Sequence, residues 1–157
     1  MIVIGLIKNN IMTAPEIMTY LQGIRWPNGV ISPYRSTAKV YVHPIPNTFV
    51  CKWHNRQFSV LTGTLLANSR KTICEWYKLV DLLVKNTPEV DIASELQLTD
   101  ATIYGMYRRI FVAYDLVVPK KNKDLYRTLV KYIVRKGERV DDIFRRLMKD
   151  RRKIKIK

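Results

Sequence analysis

The sequence predicts an α+β fold, mainly α: a small β-sheet in the first half, a pair of helices joined by a tight turn, and two basic helices at the end. Three observations carry this. Residues 38–61 alternate in polarity between turn-forming residues, the pattern of short strands. From Thr72 onward apolar side chains recur at three and four residues behind helix-capping signals. Hydrophobic residues make up 47% of the 157-residue chain, enough to bury a core and to exclude wholesale disorder. The pattern divides into three segments: 1–66, 67–118 and 119–157.

Thr13-Ala14-Pro15-Glu16 opens a helix, with Thr13 as cap, Pro15 in the first turn and Glu16 at the third position, followed by an apolar stripe of Ile17, Tyr20 and Leu21. Asn28-Gly29 is a turn. Ala38 to Val42 is a strand, Pro44 to Asn47 a hairpin loop, Thr48 to Trp53 its return, and Gln57 to Leu61 a third strand. So small a sheet needs side chains to hold it, and the expected ones are Tyr34, Tyr41, Phe49, Trp53 and Phe58, packed on the following helices.

Thr72 and Glu75 have capping-box spacing ahead of a helix to about Lys85, striped by Ile73, Trp76, Tyr77, Val80, Leu83 and Val84. Pro88 to Ile110 then reads as helix, tight turn, helix. Ala93 is small where the helices approach. Ile92, Leu96, Leu98, Ile103, Met106 or Tyr107, and Ile110 pack between them, and Thr99 caps the second helix. Gln97 stands where such turns often have glycine. That packing leaves Ala101, Thr102, Tyr104, Gly105, Arg108 and Arg109 on the outward face, with Thr102 and Tyr104 suited to base edges and the arginines to guanine or phosphate.

Past Pro119, Lys120-Lys121-Asn122-Lys123 is a basic connector. Asp124 to Lys136 carries Leu125, Leu129, Tyr132 and Ile133 at helical spacing, and Gly137 stops that helix. Val140, Ile143, Phe144, Leu147 and Met148 stripe the last one. Glu138, Asp141 and Asp142 belong to its first turn, where negative charge complements the helix dipole. Arg145, Arg146, Lys149, Arg151, Arg152 and Lys153 end the chain as a cationic surface.

Charge points to a polyanion. The chain has 28 Lys+Arg against 13 Asp+Glu, a formal net charge of +15. Residues 120–157 hold 16 of the basic and 5 of the acidic residues, a net +11. A solubilising surface mixes both signs more evenly. The apolar start, Met1 to Leu6, is interrupted by Lys8, Asn9 and Asn10, too early for a signal peptide or a membrane span, so an intracellular site in nucleus, cytoplasm or virion is expected. Cys51 and Cys74 are expected as free thiols.

The order of features from Tyr20 to Tyr114 resembles the amino-terminal DNA-binding region of Merlin-type transposases and their bacterial insertion-sequence relatives. The lead-in Leu21-Gln22-Gly23-Ile24-Arg25-Trp26-Pro27-Asn28-Gly29 and the exit Arg56-Gln57-Phe58-Ser59-Val60-Leu61-Thr62-Gly63-Thr64 carry the likeness. The resemblance implies a zinc ribbon between them, a helix-turn-helix after them, and engagement of DNA at a transposon end. Its ligand positions would be Ser32, Arg35, Cys51 and His54. A serine and an arginine are not zinc donors, and two remaining donors do not close a structural site, so a degenerate, metal-free ribbon is expected. His43 and Cys74 are the other candidate donors.

In that family a downstream RNase H-like domain carries three acidic residues that bind catalytic metal. Only 43 residues follow Tyr114, too few for such a domain. The expectation is therefore a DNA-binding protein without catalytic activity or cofactor: a transcription regulator, or a factor that binds transposon ends or a viral or cellular genome. Double-stranded DNA is the expected partner, with RNA and a homodimer left open. Two alternatives stand beside it. One is a packaging or assembly protein that binds nucleic acid without sequence preference; the other is a transposase fragment with nuclease activity at Asp141 and Asp142.

Overall fold

A computed structural model describes residues 12–67 and 69–149. Met1–Leu6 and the cations Arg151, Arg152 and Lys153 lie outside the described residues. The elements run α1 (Ala14–Arg25), β1 (Val40–Val42), β2 (Phe49–Cys51), β3 (Arg56–Phe58), α2 (Ile73–Val84), α3 (Glu89–Leu96), α4 (Asp100–Ala113), a 3-10 turn (Asn122–Asp124), α5 (Leu125–Lys136) and α6 (Val140–Leu147). The fold is α+β and mostly helical.

The helix boundaries follow their caps. Thr13 Oγ1 accepts the Glu16 amide at 3.4 Å, and Thr72 and Glu75 close a reciprocal capping box at 3.1 Å. Gly137 ends α5 in the left-handed conformation at φ 64°, where glycine meets no Cβ penalty.

Helix α2 is the hub. Trp76, Leu79, Val80, Leu82 and Leu83 are buried on it, and it packs against α1, α3, α5 and α6. Helix α4 in turn packs against α5 and α6. The two terminal helices are therefore built into the helical core through Leu125, Leu129, Val130, Ile133, Ile143, Phe144 and Leu147. Tyr20, Tyr77 and Phe144 join α1, α2 and α6 in one aromatic contact, with the Tyr77 and Phe144 rings stacked at 5.8 Å. Trp76 donates to Ser69 Oγ at 3.0 Å, which anchors the loop before α2.

The sheet is antiparallel, in the order β1-β2-β3, with Tyr41 opposite Val50 and Val50 opposite Gln57. Each strand is three residues long, shorter than the sequence pattern. The alternation continues beyond the paired segments, but the ladder gives way to turns in which Asn47 and Asn55 take positive φ. The residues holding the sheet also differ from expectation. Phe49 and Phe58 are buried, and Trp26, at the end of the preceding helix, packs edge-on to both at 5.7 and 6.0 Å. Arg25 beside it donates to the Val60 carbonyl at 2.6 Å. Tyr41 and Trp53 instead face solvent, 49% and 63% exposed. A three-stranded sheet has one inner face, and Trp26 with the two phenylalanines fills it.

Candidate nucleic-acid interface

Helices α3 and α4 meet through the three residues Gln97, Leu98 and Thr99. Gln97 takes φ 54° and ψ 40°, the left-handed geometry that ends α3, and its amide donates to Ala93 O at 3.0 Å. A side chain in that region costs about 1–2 kcal/mol relative to the right-handed conformation, so the surrounding packing imposes it. Thr99 Oγ1 accepts the Thr102 amide at 3.3 Å and starts α4.

One side of α4 is buried: Ile103, Met106, Tyr107, Ile110 and Phe111, so both of the alternatives Met106 and Tyr107 point inward. The other side presents Ala101, Gly105, Arg108 and Val112, spaced four, three and four residues apart along one exposed line. Thr102, Tyr104 and Arg109 border it, half-buried. A Cβ on Gly105 would meet nothing within 4 Å, so no packing in the chain requires glycine there.

The adjacent arginines diverge. Arg109 donates to the Leu65 carbonyl at 2.7 Å and to the Ala67 carbonyl at 3.4 Å, and so ties α4 to the segment after the sheet. Arg108 is exposed and donates to Asn122 Oδ1. That bond brings the exposed Lys120, Lys121 and Lys123 of the connector beside the outward line of α4. The basic character of the connector is legible in the sequence, but its attachment to the helix through Asn122 is not. Across the turn the charge reverses. Helix α3 carries Glu89, Asp91 and Glu95 and no basic residue, and burial with the nearby Asp100 raises the Glu89 carboxyl above its ordinary value.

The cations of the last helix sit elsewhere. Arg146 lies over the Tyr114 ring at 5.5 Å, at the carboxy-terminal end of α4, about 18 Å along the axis from Thr102. Arg145 pairs with Asp142 at 3.1 Å, and Lys149 is exposed. The carboxylates of this helix are occupied: Asp142 accepts the Arg139 amide at 2.9 Å, and Asp141 accepts the hydroxyl of Tyr20 on α1. Burial and the bond to Asp141 hold the Tyr20 phenol well above the ordinary tyrosine value.

Of the ribbon positions, the fold brings two together. Ser32 and Cys51 are buried and share a hydrogen bond, and Ser32 Oγ also accepts the Tyr34 and Arg35 amides at 3.1 and 3.4 Å. Burial acts to raise the Cys51 thiol, but the Ser32 hydroxyl, the backbone amides of His54 and Trp53 and the Arg35 charge outweigh it and hold it below its ordinary value. Arg35 and His54 are exposed, the first stacked over Trp53 at 3.8 Å and the second edge-on to Tyr34 at 6.0 Å. Cys51 and Cys74 are both free thiols. Among the described residues no three His, Cys, Asp or Glu side chains converge as metal ligands, and no helix is long and apolar enough to cross a membrane.

The chain is similar to an uncharacterized protein in transposable element ISH50 of Halobacterium salinarum, 27% identical over 103 residues, which is 63% of this chain and 35% of that protein. The chain therefore spans about a third of the length of that relative. No protein-family profile matches the chain, and no solved structure does.

Proposed function

We propose that this is a DNA-binding protein of transposase origin that acts without catalysis, as a transcription regulator or as a factor bound to transposon ends. In this reading the short sheet is a degenerate zinc ribbon and α3 and α4 form a helix-turn-helix, with α4 lying in the major groove. The observation that carries it is the division of α4: one side is sealed in the core, while small Ala101 and Gly105 with Arg108 leave a smooth, exposed line bordered by Thr102 and Tyr104. Similarity to a protein of a transposable element supports the origin.

Charge sets the docking direction. The connector lysines and Arg108 meet phosphate beside α4, and the acidic α3 adds no cation of its own. Arg145, Arg146 and Lys149 supply a second phosphate contact near the other end of α4, and Thr102 and Tyr104 supply the sequence preference. Arg109 serves the fold.

Duplex binding by the variant T102A/Y104A/R108A tests this. Each base contact is worth about 1–3 kcal/mol, so the variant should keep its fold and, apart from the one phosphate contact of Arg108, its non-specific affinity while losing preference for a cognate site. Equal preference in variant and wild type would sink the assignment of α4. A second reading rests on the net +11 of residues 120–157: packaging by charge alone, in which no sequence is preferred.

A further inference from the structure

We infer that the exposed aromatic residues of the small sheet, Tyr41 of β1 with Lys52 beside it and Trp53 in the turn between β2 and β3 with Arg35 on it, form a separate binding platform for single-stranded DNA. It goes beyond the duplex reading of α4 and does not depend on it.

Between Glu16 and Glu75 the chain has no carboxylate at all, so Arg35, Lys39, Lys52 and Arg56 around the sheet have no anionic partner within their own segment. Three of them are matched with aromatic faces. Arg35 lies 3.8 Å from the centre of the Trp53 ring, Arg56 lies 4.4 Å from that of Tyr34, and Lys52 lies 5.8 Å from that of Tyr41.

Pairing of this kind leaves rings accessible. Trp53 is 63% exposed with Arg35 on it, while Trp26 and Trp76 are 7% and 1% exposed. Tyr41 is 49% exposed, on the face of β1 opposite the one that shares its side with Phe49 and Cys51. Trp26, Phe49 and Phe58 thus serve folding, while Tyr41 on the outer face of the sheet and Trp53 in the turn between β2 and β3 stay exposed, each beside a cation.

An unpaired base offers a flat π surface for Trp53 or Tyr41, and the phosphate on the same nucleotide offers a charge for the guanidinium or ammonium next to it. Duplex DNA offers the second but hides the first, because its bases are stacked on one another. The combination therefore selects single strands, with little preference among bases.

The test uses the full chain with a labelled oligodeoxythymidylate of about a dozen nucleotides and with duplex DNA. Addition of the single strand should quench tryptophan fluorescence in the wild type, and this quenching should disappear in W53F, which keeps an aromatic ring at the site. Y41A/W53A should lose about tenfold or more of its single-strand affinity and retain its duplex affinity, while R108A should do the reverse. Both replaced rings are exposed, and an unchanged thermal unfolding curve verifies the fold. Undiminished single-strand binding by Y41A/W53A would overturn the inference, as would tighter binding of oligouridylate than of the deoxy strand. Loss of duplex preference in α4 variants alone would leave this platform standing, so the two readings fail separately.

Discussion

Arg108 and Arg109 are neighbours in sequence with opposite fates, and the difference follows from one step of 100° around a helix. Arg109 satisfies carbonyls of Leu65 and Ala67, so Arg109→Ala should destabilise the protein by about 1–3 kcal/mol as those acceptors lose a charged donor. Arg108→Ala should change stability by no more than about 0.5 kcal/mol yet weaken DNA binding; denaturant unfolding beside a binding titration separates the two. Tyr107 makes a further residue-scale case. Its hydroxyl is buried without a hydrogen-bond partner among the described residues, so Tyr107→Phe should leave stability unchanged or raise it by about 1 kcal/mol. The sequence pattern identified the buried side of α4 but left Met106 and Tyr107 as alternatives where both are buried, because apolar spacing reports which side faces the core and not how wide that side is. It could not separate the arginines, because a carbonyl acceptor more than forty residues away leaves no mark in local spacing.

At the scale of elements, capped helices were the most legible features. Thr13, Thr72, Thr99 and Gly137 each stand where a helix begins or ends, since their chemistry acts within one turn. The sheet was less so. Its inner aromatics depend on Trp26, which is outside the alternating segment, and strand pattern therefore misassigned Tyr41 and Trp53. Two element-scale predictions follow from the roles proposed above. Gly105→Ala should stabilise α4 by about 0.5–1 kcal/mol, because glycine inside a helix is unfavourable and the added methyl meets open space. If α4 lies in a groove, the same change should reduce duplex affinity, and a rise in both quantities would contradict that placement. For the degenerate ribbon, S32C/R35C would restore a Cys/Cys and Cys/His ligand set with Cys51 and His54. That variant should bind about one zinc per chain and unfold at higher temperature until a chelator is added. Failure to bind zinc would contradict the ribbon ancestry of the sheet.

The whole molecule is one helical core carrying cations on separate outer surfaces, and two of its bulk properties are testable. Burial raises the phenols of Tyr20, Tyr77, Tyr107, Tyr114 and Tyr126 above the ordinary value of 10.0. The folded state therefore keeps protons that the unfolded state gives up, so their contribution to stability is intact below pH 10.0 and falls as pH rises through the folded values. Chemical denaturation followed from pH 9 to pH 11 should show this decline, and Tyr107→Phe should make it shallower. The placement of charge predicts salt dependence as well. Each phosphate neutralised by the connector or by α6 should steepen the plot of log affinity against log salt by about 0.9, and Lys121→Ala or Lys149→Ala should each remove about one such increment. Net charge was plain in the sequence, but its division between the two ends of α4 depends on how α6 packs. The most direct test of the central claim is selection from a random duplex DNA library at near-physiological salt, where phosphate contacts are weakened. Enrichment of one motif by the wild type, lost in T102A/Y104A/R108A, is the predicted result; binding with no motif enriched would contradict sequence reading by α4.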